Sequence, residues 1–218
     1  MNNLQKTGGF AGLIHAAAYT VGIVLGVTFI FPLLDADPGQ YMAFLADNQT
    51  LMYVWNLVSY WVSAITLVLI VLALYERLKA NSPALAQTAT AFGLIWAGLI
   101  IASGNLMIRD IGIVADLYSQ DPAQAETVWL TLDAVEVGIT SGNELVGSLW
   151  VLLLSLTALR TRELARALNY FGIAISLPGI LSVFPGLGEI AFIFGLGMVV
   201  WSAWVGIVML RKSPGAAA

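Results

Sequence analysis

The chain has no cysteine and a single histidine, His15. Without cysteine there is no disulfide framework, no thiolate metal site and no cysteine nucleophile. With one histidine there is no multi-histidine metal site within one chain. Charge is also scarce. Charged residues make up 10% of the 218 residues, against roughly 25% in a soluble chain. So few charges cannot cover a water-facing surface, which excludes a soluble fold, and the composition equally excludes disorder, collagen and coiled coil. A Walker lysine loop, a dinucleotide glycine motif and an HExxH zinc motif are missing too.

Apolar residues are abundant: they form 59% of the chain, and the mean hydropathy is +0.87. A bilayer core about 30 Å thick needs about 20 apolar residues per helix. Six stretches qualify, at about residues 10–34, 52–74, 85–108, 137–159, 168–184 and 190–210. They are continuously apolar rather than alternating, which favours helices over a barrel. The expected fold is therefore an all-α polytopic membrane bundle of six transmembrane helices in a single domain, 1–218. The first stretch follows Lys6 and contains the small residues Ala16, Ala17 and Ala18, as a signal peptide would. It runs on to Leu34, longer than a signal h-region, and is expected to stay as a membrane helix.

Basic residues set the orientation. With the connections numbered alternately, Lys6, Arg77, Lys79, Arg160, Arg162, Arg166, Arg211 and Lys212 fall on one side, and Arg109 stands alone on the other. The rule places both termini in the cytoplasm and the chain in the cytoplasmic (inner) membrane. Acids show the opposite bias, with only Glu76 and Glu163 inside. The outer acids are either simply tolerated there or form a surface that attracts a cation or a basic partner.

Two outer connections share a pattern: Asp37-Pro38-Gly39-Gln40 and Asp121-Pro122-Ala123-Gln124. Each reads as a helix start, with Asp as N-cap, Pro at the first position and Gln completing a capping box. The first predicts a short helix on the outer surface with Tyr41, Phe44 and Leu45 on its apolar face; the second runs on into the fourth membrane helix. Gly12-Leu13-Ile14-His15-Ala16 aligns with Gly93-Leu94-Ile95-Trp96-Ala97, and Gly172-Ile173 sits similarly in the fifth stretch. A pseudo-repeat of three hairpins is one reading, chance similarity of apolar segments the other.

In the first helix, Gly8/Gly12 and Gly22/Gly26 are GxxxG pairs, suited to close packing within the chain or to homodimerisation. His15 lies beside this face and needs a partner: a hydrogen bond to a neighbouring helix, or a cofactor for which no second histidine exists. The clearest polar pattern lies in the fourth helix. At 100° per residue, Asp133, Glu136, Thr140, Asn143 and Glu144 share one arc. Asn105, Arg109, Gly112 and Asp116 share a face of the third helix. Arg109 is expected to meet a fourth-helix carboxylate, either as a structural salt bridge or as one wall of a polar pocket that opens outward, with Trp55 and Asn56 contributing. The candidate ligand-binding residues are thus Asn105, Arg109, Asp133, Glu136, Thr140, Asn143 and Glu144. Trp55, Trp61, Trp129, Trp201 and Trp204 suit interfacial positions, and Pro178-Gly179 is expected to bend the fifth helix.

Three segments carry a resemblance. Gly9-Phe10-Ala11-Gly12-Leu13-Ile14 opens the first helix, Leu74-Tyr75-Glu76-Arg77-Leu78-Lys79 ends the second, and Pro83-Ala84-Leu85-Ala86 starts the third. The layout resembles an uncharacterised bacterial family of six-helix membrane proteins, known as a domain of unknown function. The resemblance implies a six-helix bundle over most of the chain and carries no activity or site residues with it.

The functional expectation is a non-catalytic membrane protein that binds a small ligand or a partner subunit through an acidic outer-face pocket. A small transporter or substrate-capturing subunit is the alternative, weakened by the lack of midplane carboxylates. A membrane enzyme using Asp133, Glu136 and Glu144 with an oxygen-bound metal comes third. The bilayer is the expected partner, with a second copy or another membrane subunit, and no nucleic acid; no cofactor can be named.

Overall fold

The computed structural model describes residues 3–34 and 37–211, without the side chains of 34 and 140–142. Asp35 and Lys212, both counted in the charge asymmetry, lie outside the described residues. Among the described residues there is helix and no strand. Helix α1 (Asn3–Leu25) passes through a π-helical turn, Gly26–Ile30, into α2 (Phe31–Leu34). After α3 (Pro38–Asp47), α4 (Gln49–Asn56) passes through a second π turn, Leu57–Val62, into α5 (Ser63–Leu78). The chain continues with α6 (Pro83–Gln120), α7 (Pro122–Thr161), α8 (Arg166–Leu181), a short 3₁₀ turn at Gly188–Ile190, and α9 (Ala191–Leu210).

Five of these helical runs are long and apolar enough to cross a membrane: Asn3–Leu33, Gln49–Leu78, Pro83–Gln120, Pro122–Thr161 and Gly188–Leu210. The fifth predicted stretch corresponds to α8, which has 16 residues. At 1.5 Å per residue it reaches about 24 Å, short of a bilayer core. It carries Pro178 in its last turn, and the chain beyond turns at Gly186, whose φ of +83° suits glycine.

The third and fourth stretches extend further than hydropathy marks. Helices α6 and α7 have 38 and 40 residues, or about 57–60 Å each, twice the bilayer core. They pack along one another as a hairpin whose tip is Asp121. Asp121 accepts from the amides of Ala123 and Gln124, both at 3.1 Å, with Pro122 at the first helical position. Asp37 starts α3 in the same way, accepting from Gly39 N at 2.8 Å. Helix α3 does not simply lie on a membrane surface. Met42 and Leu45 are buried, Tyr41 and Phe44 half-buried, and the helix packs on α6 and α7.

The glycine stripe of α1 is filled within the chain. A Cβ on Gly12 would meet Gly206 Cα and Ser202 O at 2.9 Å; one on Gly8 would meet Ala73 and Met209. So α1 packs closely on α9 and α5. Near the bundle's middle, Trp96, Trp150 and Trp201 are buried in series, with centroids 5.7 and 5.3 Å apart. Trp201 is therefore core rather than interfacial: its helix turns it inward, between α7 and α8. At the end bearing most basic residues, Arg77 Nη2 donates to Glu163 O at 2.7 Å and its Nε to Glu163 Oε2 at 3.4 Å, tying α5 to the α7–α8 connection.

Candidate functional site

The polar arc of α7 borders two adjoining cavities of about 240 and 250 Å³. They share Phe31, Trp55 and Tyr60. The first, toward the acidic end, is lined by Tyr41, Asn56, Asp110, Trp129, Asp133 and Glu136 among others. The second is lined by Tyr19, Ser59, Trp96, Asn143, Glu144 and Phe194 among others. Counting along α7 from Arg160 puts Glu144 about 24 Å and Glu136 about 36 Å along the helix axis. The two cavities thus stand one above the other, with the tryptophan cluster at the floor.

Both π turns help to shape these walls. A π turn inserts an extra residue and rotates the helix beyond it, and such turns recur at functional sites. The first ends immediately before Phe31; the second contains Ser59 and Tyr60. Gly26 gives the Phe31 ring its place, since a Cβ there would come within 2.7 Å of that ring. Trp55 Nε1 donates to Gly22 O at 2.9 Å, which fixes the indole across the junction of the cavities. Tyr41 and Trp129 lie with centroids 5.0 Å apart, and Trp55 meets Tyr60 edge-on at 6.0 Å.

The polar groups are incompletely satisfied. Glu136 hydrogen-bonds Asp110 side chain to side chain. Asp110 Oδ2 and Asn56 Oδ1, both buried at the first cavity, have no hydrogen-bond partner among the described residues. Asn56 Nδ2 is already used, donating to Met52 O at 3.0 Å. At the second cavity Asn143 Nδ2 donates to Ser103 Oγ at 3.4 Å, while Asn143 Oδ1 and Ser59 Oγ are left without partners among the described residues.

The predicted site residues divide. Asp133 and Glu136 line the first cavity and Asn143 and Glu144 the second; Trp55 lines both and Asn56 the first. The side chain of Thr140 lies outside the described residues. Asn105 and Arg109 are exposed and line neither cavity, and Arg109 makes no ion pair among the described residues. Among the described residues the expected ion pair between Arg109 and an α7 carboxylate is not made, and Asn105 and Arg109 lie on an exposed face of α6.

Asp110, one residue and 100° further on, is the inward group, and the sequence reading missed it. Its signal was the seven-residue spacing Trp96, Ser103, Asp110, all three buried. Tyr19, Tyr41 and Tyr60 were missed as lining residues because aromatic side chains in apolar runs read as packing. His15 is wholly buried, its Nδ1 3.0 Å from Ser63 O and 3.1 Å from Thr66 Oγ1 on α5, with the Tyr19 ring 4.8 Å away. That is the neighbouring-helix hydrogen bond expected of it.

The helices and cavities together define an all-helical membrane protein with an acidic, aromatic-walled recess. The chain belongs to the family described as "Domain of unknown function (DUF4386)", whose model matches residues 7–213. No curated protein and no solved structure matches it.

Proposed function

We propose that this is a six-span protein of the bacterial inner membrane, with both termini cytoplasmic, that binds a small ligand in its acidic-end recess without transforming it. One observation carries the binding reading: Asn56 Oδ1 and Asp110 Oδ2 are buried and unpartnered, among the described residues, on the wall of one cavity. An unsatisfied buried polar group costs about 1–3 kcal/mol, a cost that a ligand with hydrogen-bond donors removes. The aromatic walls supply the apolar area that such sites use.

The sixth span in this reading is α8 with the turn beyond it, 182–190. A crossing there puts Arg211, after α9, on the same side as Lys6, Arg77, Lys79, Arg160, Arg162 and Arg166. The Asp-Pro starts of α3 and α7 support a pseudo-repeat of hairpins, the third having no such helix. Single cysteines at Asn81 and Gln120 should react with an impermeant maleimide from opposite sides of the membrane. Labelling of both from one side would refute the topology.

A transport role is the second reading, favoured by the stacking of the two cavities along the helix axis down to Glu144. An enzyme with a carboxylate-held metal has less support, because no group of three acidic or histidine residues gathers at metal-binding distance among the described residues.

Native mass spectrometry of the protein released from its own membranes should detect a bound small molecule. Asp133→Asn should change its retention while leaving thermal unfolding unchanged, because Asp133 lines that cavity and holds no ion pair among the described residues. A clear fall in stability with ligand retention unchanged would instead make Asp133 a structural group.

A further inference from the structure

We infer that the acidic-end cavity takes an organic ammonium cation, either free in solution or as the headgroup of a lipid. This rests on the ligand-binding reading and names the ligand class.

Among the described residues, the buried side-chain atoms that this cavity leaves without a partner share one polarity. Asn56 is 1% exposed, and its amide nitrogen is occupied by Met52 O, so the atom it leaves free is an oxygen. Asp110, 9% exposed, also leaves an oxygen free. The Trp55 N–H is spent on Gly22 O. The unpartnered atoms here are therefore acceptors, which suit a donor or a positive charge. Asp133 adds a third carboxyl to the touching pair Asp110 and Glu136. The Asp110–Glu136 hydrogen bond holds one proton between those two carboxyls, and the carboxylate charge that remains beside Asp133 suits a cation. Arg109, one residue from Asp110, is exposed and lines neither cavity.

Size and wall chemistry select the kind of cation. A metal ion needs ligands drawn in to about 2–2.5 Å, and the described acids do not gather in this way. The cavity measures about 240 Å³ and is walled by Tyr41 and Trp129, 5.0 Å apart, and by Trp55 and Tyr60. Aromatic faces, tryptophan above all, attract alkylammonium groups and exclude the hydration that a metal ion would keep. The carboxyls supply counter-charge and the rings supply a surface for the alkyl shell.

Choline and 3,3-dimethylbutan-1-ol, its uncharged carbon counterpart, separate charge from shape. Calorimetric titration of the full chain in a neutral maltoside detergent should show choline binding, with the alcohol about tenfold weaker or more. Asp133→Asn combined with Glu136→Gln should weaken choline by about tenfold, and Trp129→Leu by several-fold, with unchanged thermal unfolding. Nanodiscs of phosphatidylcholine and of digalactosyl lipid distinguish the sources. Weaker choline binding in phosphatidylcholine identifies a competing headgroup; equal binding identifies a free cation. If the alcohol binds as well as choline, the recess is a ligand site but the cation assignment is overturned. If neither probe binds while native mass spectrometry finds a bound molecule, the cation assignment alone falls. If neither binds and no molecule is found, the ligand-binding reading falls with it.

Discussion

Replacing Gly12 with alanine is expected to destabilise the protein by about 3 kcal/mol, at the upper end of the usual cost of overpacking. The added methyl would sit 2.9 Å from Gly206 Cα, 2.9 Å from Ser202 O and 3.0 Å from Gly206 N. All three are backbone atoms of α9, so no side chain can rotate away. The helices must separate instead, and contacts along the whole α1–α9 seam loosen together. In lipid this matters more than in water, because apolar surface gains nothing by leaving lipid tails and helices associate through close packing. Gly98→Ala is the matched control. A Cβ at Gly98 meets nothing within 4 Å, so only the better helix propensity of alanine acts, worth up to about 1 kcal/mol in its favour. Unfolding of both variants in detergent, followed by circular dichroism, tests the contrast; equal stabilities would contradict the α1–α9 packing.

Trp150→Ala is expected to cost about 3–5 kcal/mol. Trp150 is wholly buried, with Trp96 and Trp201 at 5.7 and 5.3 Å between centroids. Gly93 is its socket, since a Cβ there would lie 2.8 Å from the indole. Gly147, one turn earlier on α7, likewise receives the Trp96 ring, with a Cβ contact of 2.6 Å. Two tryptophans thus interlock across α6 and α7 through reciprocal glycines. Truncation leaves a void between rigid helices that cannot collapse, so the lost dispersion contacts are not regained. Trp150→Phe keeps a ring and should recover most of the loss in the same unfolding measurement. A loss below about 1 kcal/mol for Trp150→Ala would mean that the α6–α7 seam repacks freely.

The cavity sits above this interlocked region, where packing is less complete. The lower half of the bundle is closed by glycine–aromatic contacts. The upper half holds the π turns, the carboxyls and the Asn56 amide oxygen, which has no partner among the described residues. Phe31 and Tyr60 stand where the two cavities meet.

How much of this was legible in the sequence depends on the range of the forces involved. Composition and apolar run length determined an all-helical membrane chain, because unsatisfied backbone polar groups in hydrocarbon leave little choice but helix. The Asp-Pro starts of α3 and α7 were legible for the same local reason, an N-cap acting within three residues. The inward arc of Asp133, Glu136, Asn143 and Glu144 came from helical periodicity. Periodicity, however, says which residues share a face and not what that face meets. The Asn105–Arg109 stripe was as regular as the α7 arc, yet it is exposed, and Asp110, one residue further on, is the group beside Glu136. The continuous run from Asp121 into the fourth span was legible, whereas length was misjudged for α6, which runs well past its apolar core, and for α8, which stops at 16 residues. Which helix fills the α1 glycine stripe, which tryptophans interlock and where a cavity remains were decided by the tertiary structure alone. Those outcomes depend on contacts between residues far apart in the chain, and such contacts exist only once the relative rotation of every helix is fixed.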